Sequence, residues 1–131
     1  MQDNKFLKHI WKKISIGLFV VFYGFAGVYH FISPETYLPV IPDWLGDPKM
    51  INILAGMAEI IIATLVIIPD TRKQAGYLAI AMLLAFTISH IYFIQLGHCA
   101  ADVCLDPWIG WVRLVVIHPL LIYWAYRISN S

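Results

Sequence analysis

The sequence predicts an all-α protein whose four helices cross a membrane as one bundle, and three observations lead to this prediction. First, 60% of the 131 residues are hydrophobic and 13% are charged, with a mean hydropathy of +0.74, whereas soluble domains carry roughly 45–50% apolar and 25% charged residues. Second, the apolar residues fall in four stretches, each long enough for a helix to cross about 30 Å of hydrocarbon. Third, the basic clusters lie on one side of the membrane if the chain crosses it four times.

The four apolar stretches cover residues 14–32, 50–68, 75–94 and 108–126. Backbone groups in lipid need hydrogen-bond partners within the segment, and no stretch alternates polar and apolar residues as a strand does, so we expect helices. Short loops rich in Pro, Gly and Asp separate the stretches. The chain is therefore expected to form a single membrane domain over residues 1–131.

The basic residues predict the orientation of the bundle. Four lysines precede the first helix, Arg72 and Lys73 lie in the second loop, and Arg127 follows the fourth helix. Since basic loops stay in the cytoplasm, we expect both termini there and loops one and three facing outward, in a bacterial inner membrane. We expect a retained first helix rather than a cleaved signal peptide, because the apolar segment is too long and no small-x-small cleavage site follows it.

Composition also bounds the partners. The lipid bilayer is the expected environment of the whole domain. A nucleic-acid partner is not expected, because the formal net charge is +1 and no basic patch exists outside the N-terminal run.

Five ionisable side chains fall inside the apolar stretches, namely His30, Glu59, His90, Arg113 and His118. A charge at the bilayer centre costs about 2.5–3.5 kcal/mol on the insertion scale, so each should face the bundle interior and find a partner. Helical spacing places them on faces that carry small residues, where membrane helices approach closely. Their positions along the helices place the set in the outer half of the bundle.

Two interpretations of these ionisable residues stay open. In the structural one, Glu59 pairs with Arg113, and the histidines bond to backbone or to hydroxyls such as that of Thr87. In the functional one, the residues form a proton relay or line a pocket for a quinone, a lipid or another small hydrophobic ligand. Haem is the less favoured cofactor: His30 and His90 lie at suitable depths, but the sequence has no dedicated axial-ligand pattern.

The two cysteines, Cys99 and Cys104, both fall in the third loop, which is expected to face outward. The first interpretation is a disulfide that shapes the loop, because the outer compartment permits disulfides. The second is a redox-active pair, although the spacing is C-x4-C rather than C-x-x-C. The third is metal binding with His98 and Asp102, which lacks a fourth ligand, so no metal site is predicted.

Several stretches, kept in order over nearly the whole chain, resemble the DoxX-like family of small membrane proteins. They are Ala26-Gly27-Val28-Tyr29-His30-Phe31 with Pro34-Glu35, Ile41-Pro42-x-Trp44-Leu45, Gly56-x-x-Glu59-Ile60, Pro69-x-Thr71-Arg72, Ala75-Gly76, Trp111-x-Arg113-Leu114 and Tyr123-Trp124-Ala125-Tyr126-Arg127. The sequence departs from the family pattern at His90, in the loop with the two cysteines, and at His118-Pro119.

This resemblance implies a four-helix membrane bundle in which His30, Glu59 and Arg113 are the typical polar residues. Some members of the DoxX-like family are linked to thiosulfate–quinone oxidoreduction or to oxidative-stress complexes. A distant likeness to the NACHO receptor chaperone implies a role in assembly instead.

The sequence thus predicts a redox-associated membrane protein that binds a small hydrophobic ligand, a quinone or a protein partner in a polar pocket. Arg113 would orient an anionic or carbonyl group, Glu59 would pair with it or carry a proton, and His30 and His90 would line the entrance. One alternative is a non-catalytic complex subunit or assembly chaperone. Another is a quinone-linked thiol oxidoreductase of the DsbB-like kind that uses Cys99 and Cys104. Whether the protein is an enzyme stays open.

Overall fold

The computed structural model describes residues 2–131, and most of them are helical. Three long helices come first, and the fourth span consists of two helices joined by a π turn. The elements are α1 (Gln2–Ile32), α2 (Pro48–Ile67), α3 (Arg72–Gln95), α4 (Pro107–Val112), the π turn (Arg113–Ile117) and α5 (His118–Ser129).

The loops have short regular elements of their own. Between α1 and α2 the chain makes three 3-10 turns, Pro34–Thr36, Leu38–Val40 and Asp43–Leu45. Between α3 and α4 it makes an antiparallel hairpin of β1 (Cys99–Ala100) and β2 (Val103–Cys104).

Four helical segments, with α4, the π turn and α5 counted as one, are long and apolar enough to cross a membrane, as predicted. The main difference in bounds is at the start, where α1 begins at Gln2 rather than at residue 14. Hydropathy detects only the apolar part of a helix, and the lysine-rich segment before it continues the same helix. At about 1.5 Å per residue, the 31 residues of α1 exceed the thickness of the hydrocarbon core.

The sequence predicts one continuous helix over residues 108–126. In the structure a π turn interrupts this span between α4 and α5. The backbone N–H of His118 donates to the carbonyl oxygen of Arg113, five residues earlier, which is the π pattern. Pro119 follows directly and has no N–H to donate, so the preceding turn loses a regular α-helical bond. The wider turn begins at Arg113.

The helices pack in chain order, with α1 against α2, α2 against α3, and α3 against α5. Aromatic contacts close the bundle between α1 and α5. The Trp124 indole N–H donates to the Ser15 hydroxyl at 2.9 Å, and the Phe19 ring lies 5.1 Å from the Trp124 ring. Phe19 and Tyr23 are among the fully buried side chains of this end of the core.

The closest approach of α1 and α2 occurs at Gly27 and Gly56. A Cβ on Gly27 would lie 2.8 Å from the Gly56 carbonyl oxygen, and a Cβ on Gly56 would lie 3.0 Å from the Gly27 carbonyl oxygen. Small residues permit such contacts between membrane helices. Gly17 of α1 makes no such contact, because a Cβ there would have no neighbour within 4 Å.

Candidate ligand-binding cavity

A cavity of about 630 Å³ lies between the end of α1, the 3-10 turns, α2, α3 and the start of the π turn. This volume is within the usual range of roughly 300–1,000 Å³ for small-molecule sites. Its walls are mainly aliphatic and aromatic. Four of the five ionisable residues selected from the sequence line it, namely His30, Glu59, His90 and Arg113.

Asn52 holds the imidazole of His30 in one orientation. The Asn52 side-chain N–H donates to the backbone carbonyl of His30 at 3.0 Å, which leaves the amide oxygen facing Nδ1 of His30 at 2.7 Å. Because an amide oxygen only accepts, Nδ1 must carry the hydrogen. Both residues are buried, so this pair fixes the ring and its tautomer at the wall of the cavity.

The other ring nitrogen of His30 faces Glu59, with Nε2 3.4 Å from Oε2. If the carboxylate is ionised, Nε2 is protonated and the two form an ion pair. If the carboxyl is protonated, its proton faces the bare Nε2. In both states the pair holds one proton between Nε2 and Oε2 and carries no net charge, which lowers the cost of burying it in an apolar environment.

Glu59 lies in the cavity wall, and the contact with His30 is longer than a regular hydrogen bond. The residue is 5% exposed, and its Oε2 atom is buried without a hydrogen-bond partner among residues 2–131. A buried acceptor that is left unpaired costs free energy. A ligand with a hydrogen-bond donor in this cavity would give the Glu59 carboxyl a partner in addition to His30.

Tyr37, on the loop above α1, covers the histidine. Its ring stacks on the His30 ring with centroids 3.6 Å apart and an interplanar angle of 15°. Burial, with smaller contributions from the charges of Glu59 and Tyr29, raises the pKa of Tyr37 to about 12. Tyr37 is therefore a neutral hydroxyl at physiological pH and a potential donor at the mouth of the cavity.

Arg113 adds a cation to the cavity wall. Its guanidinium lies 5.6 Å from the centre of the Phe93 ring, a cation–π distance. The side chain is partly buried, and no carboxylate of residues 2–131 is at ion-pair distance from it. The expected Glu59–Arg113 ion pair is therefore not formed, because the glycine crossing of α1 and α2 brings Glu59 to His30 instead.

His118 does not line the cavity and lies directly behind His90. The two rings are 4.7 Å apart in an edge-to-face arrangement. The His118 Nε2 atom faces the Leu83 carbonyl oxygen, which makes it the protonated nitrogen, and the Thr87 hydroxyl lies 3.1 Å away. The structural interpretation, with a histidine bonded to backbone and to a hydroxyl, fits this residue.

The cysteine pair closes the hairpin beside the cavity. Cys99 and Cys104 are opposite each other in the register of the two strands and form a disulfide. His98 precedes the hairpin with a positive φ of 63°, and its ring packs on Gly110 and on the edge of Phe93. Since Phe93 also lines the cavity, one aromatic residue connects the hairpin to the site.

The residues present do not fit a haem held by His30. Both of its ring nitrogens already face protein partners, Asn52 and Glu59, whereas an axial ligand needs a free nitrogen. Among residues 2–131, no group of three His, Cys, Asp or Glu side chains is arranged to hold a metal ion.

Three residues of this site were not selected from the sequence: Asn52, Tyr37 and Phe93. Asn52 lies four and seven residues before Gly56 and Glu59, which places all three on one helical face. That spacing is a signal for a polar residue turned inward. Tyr37 and Phe93 resemble ordinary interfacial aromatic residues in the sequence. Only the fold of loop one brings Tyr37 to the site, and only the packing of α3 brings Phe93 there.

The comparisons with known proteins add a family and no activity. The sequence model of the family described as "Domain of unknown function (DUF8561)" matches residues 19–129, which contain every residue of the cavity. No curated protein and no solved structure matches the chain.

Proposed function

The chain belongs to the family described as domain of unknown function (DUF8561), and from that premise we propose a function on the basis of the cavity itself. We propose that the protein binds one small amphiphilic molecule between its helices and exchanges a proton with it. The observation that carries this proposal is that two ionisable side chains line the same apolar cavity. Arg113 is a cation without an anionic partner among residues 2–131, and Glu59 has a carboxylate whose Oε2 contacts His30 and makes no hydrogen bond within those residues.

The chemistry of the walls defines the ligand. The aliphatic and aromatic lining favours an apolar body by the hydrophobic effect. Arg113 requires a carbonyl or anionic oxygen, because a guanidinium has five N–H donors and no acceptor. Glu59 favours a hydroxyl that donates to its carboxylate. A flat apolar ring with more than one oxygen substituent meets all three requirements.

A quinone and its quinol have this chemistry, which makes the redox association the favoured assignment. The carbonyl oxygen of a quinone can accept from Arg113, and the hydroxyl of a quinol can donate to Glu59. His30 and Glu59 hold one transferable proton, and His90 lines the same wall. The role proposed for the protein's own residues is to orient the ring and to hold that proton at Nε2 or Oε2.

The test is a titration of the purified full-length protein in detergent with a short-tailed quinone, followed by calorimetry. We expect saturable binding at one site, and about a ten-fold or greater loss of affinity in Arg113→Gln, which corresponds to about 1.4 kcal/mol. Arg127→Gln is the matched control, because this exposed arginine lies outside the cavity. Equal affinity in wild type and Arg113→Gln, with both proteins folded, would overturn the proposal.

A quinone-linked thiol oxidoreductase is the second candidate, favoured by the place of the hairpin. Both cysteines are exposed, and His98 at the base of the hairpin contacts Phe93 of the cavity wall. This candidate requires the Cys99–Cys104 disulfide to be reduced and reformed during turnover. Thiol trapping in growing cells, with Cys99→Ser as comparison, should then detect a reduced fraction. A pair that is always oxidised contradicts it.

The remaining assignments are also proposals. We place the protein in a bacterial inner membrane with both termini in the cytoplasm, which the distribution of Lys and Arg supports. The likeness to DoxX-like proteins supports the redox association. The likeness to NACHO supports the competing role of an assembly chaperone or complex subunit, which predicts no saturable quinone binding.

A further inference from the structure

A second cavity lies at the other end of the bundle from the site described above. This basic groove has a volume of about 700 Å³ and runs between the N-terminal part of α1 and the end of α5. It is lined by Lys8, Trp11, Lys12, Ser15, Ile16, Arg127, Ile128, Asn130 and Ser131.

The basic groove follows from the helical repeat of α1. Lys8, Lys12 and Ser15 are spaced by four and three residues, so they lie on one face of the helix. Arg127 comes from the last turn of α5, which packs against this part of the bundle. The three cations therefore surround one depression rather than being spread over the surface.

No acidic side chain among residues 2–131 forms an ion pair with the cations of the groove. No Asp or Glu side chain lines it, and no carboxylate of residues 2–131 is at ion-pair distance from Lys8, Lys12 or Arg127. Arg127 makes one hydrogen bond, from Nη1 to the Tyr123 hydroxyl at 3.2 Å. Ser15 accepts a bond from Trp124, which leaves its own hydroxyl proton free to donate.

The depth of the groove matches the headgroup layer of a bilayer. The apolar part of α1 begins at residue 14, so Lys12 and Lys8 lie about 3 Å and 9 Å outside the hydrocarbon at 1.5 Å per residue. Arg127 directly follows the apolar part of the fourth span. Trp11 is 66% exposed at the same level, where tryptophan prefers the membrane interface.

We propose that the basic groove binds the phosphate of an anionic phospholipid headgroup. Basic pockets between transmembrane helices are a recurrent site for such headgroups, and each Lys or Arg near the surface attracts anionic lipid. Arg127 and the two lysines contact the phosphate oxygens, Ser15 donates a hydrogen bond, and Trp11 packs on the glycerol and acyl region. This lipid site is independent of the ligand proposed for the cavity that Glu59 and Arg113 line.

The test is native mass spectrometry of the full-length protein, released from detergent after incubation with equal amounts of phosphatidylglycerol and phosphatidylcholine. We expect one phosphatidylglycerol to be retained in preference to phosphatidylcholine. Lys12→Gln and Arg127→Gln should each reduce this retention about five-fold, the effect of one charge. Lys73→Gln is the matched control, because Lys73 is exposed in the first turn of α3 and lies outside the groove.

The result that supports the proposal is selective loss in the two groove variants with wild-type retention in Lys73→Gln. Equal losses in all three variants would mean that the overall positive charge attracts the lipid. The groove would then not be a specific lipid site, and the proposal would be wrong. Inorganic phosphate serves as a competitor in a parallel arm. If it removes the retained lipid at millimolar concentration, the groove is a site for free phosphate, and the assignment to a lipid is wrong.

Discussion

Gly27 and Gly56 meet where α1 crosses α2, and each leaves no room for a side chain on the other. A Cβ at Gly56 would also lie 2.8 Å from the Cβ of His30, and a Cβ at Gly27 would lie 3.0 Å from the Cβ of Glu59. The same close approach therefore brings His30 and Glu59 together. The buried pair is a consequence of how tightly two helices pack.

Gly56→Ala should destabilise the bundle and separate the two members of the buried pair. Overpacking a close contact costs about 1–3 kcal/mol, because the added methyl meets both the His30 side chain and the Gly27 carbonyl. Unfolding in mixed micelles with increasing SDS measures the change in the free energy of unfolding.

Gly17→Ala is the control for this substitution. The residue lies in the same helix as Gly27, and its Cβ would have no neighbour within 4 Å. Alanine is favoured over glycine in a helix by up to about 1 kcal/mol, so Gly17→Ala should be neutral or stabilising. A Gly56→Ala protein as stable as wild type would disprove the tight crossing.

Asn52→Ala should lower stability because it removes both bonds to His30. The free Nδ1–H and the backbone carbonyl are then buried without a partner, which costs about 1–3 kcal/mol. Thr64→Val is a suitable control, since the exposed Thr64 hydroxyl bonds only to the Ile60 carbonyl of its own helix, and a change of about 0.5 kcal/mol or less is expected. Thermal unfolding in detergent compares the two.

The same substitution should also change the protonation of His30. Nitrogen-15 NMR of histidine-labelled protein reports the tautomer of each ring. We expect the Nδ1–H tautomer or the imidazolium in wild type, and a mixture that includes the Nε2–H tautomer in Asn52→Ala. An Nε2–H tautomer for His30 in wild type would contradict the Nδ1–H assignment that rests on the bond to Asn52.

Ala55→Phe should fill the cavity that Glu59 and Arg113 line and prevent binding of the ligand. Ala55 lines the cavity, so a phenyl ring there occupies the volume that the ligand needs. Quinone affinity should fall by about ten-fold or more, or about 1.4 kcal/mol. Ala81→Phe places the same ring on an exposed position of α3 outside the cavity and should bind like wild type. Binding that survives in Ala55→Phe would locate the ligand elsewhere.

The orientation can be tested by labelling single cysteines in intact cells. In a protein without Cys99 and Cys104, Trp44→Cys introduces a thiol in loop one, and Lys73→Cys introduces one in the first turn of α3, next to loop two; both positions are exposed. A membrane-impermeant maleimide should label Trp44→Cys in intact cells and Lys73→Cys only after permeabilisation. The reverse pattern would mean that the termini face outward.

Much of the fold was predictable because the bilayer restricts the choice. An apolar stretch of the right length in lipid has to be a helix, so the number of spans follows from hydropathy. The bounds of the helices were less predictable where a helix leaves the hydrocarbon, as at residues 2–13. Backbone groups in contact with water can form hydrogen bonds in a helical or in an irregular conformation. The π turn depends on which hydrogen bonds the backbone forms around His118-Pro119. The pattern of apolar residues does not determine these bonds.

The ionisable residues of the cavity were predictable, but their pairing was not. The cost of burying a charge indicates that Glu59, His30 and Arg113 face inward, but it does not say which atom meets which. That choice depends on the Gly27–Gly56 crossing, which joins residues about thirty positions apart in the chain. Asn52 was missed because a polar residue near the end of a span is ordinary at an interface.

The central claim is that the cavity lined by Glu59 and Arg113 holds a small amphiphilic molecule oriented by Arg113. Organic extraction of the purified wild-type protein and of Arg113→Gln, followed by mass spectrometry of the extract, tests it most directly. The account predicts a quinone in near-stoichiometric amount from wild type and a strongly reduced amount from Arg113→Gln. A wild-type extract without any such molecule, or equal amounts from both proteins, would contradict it.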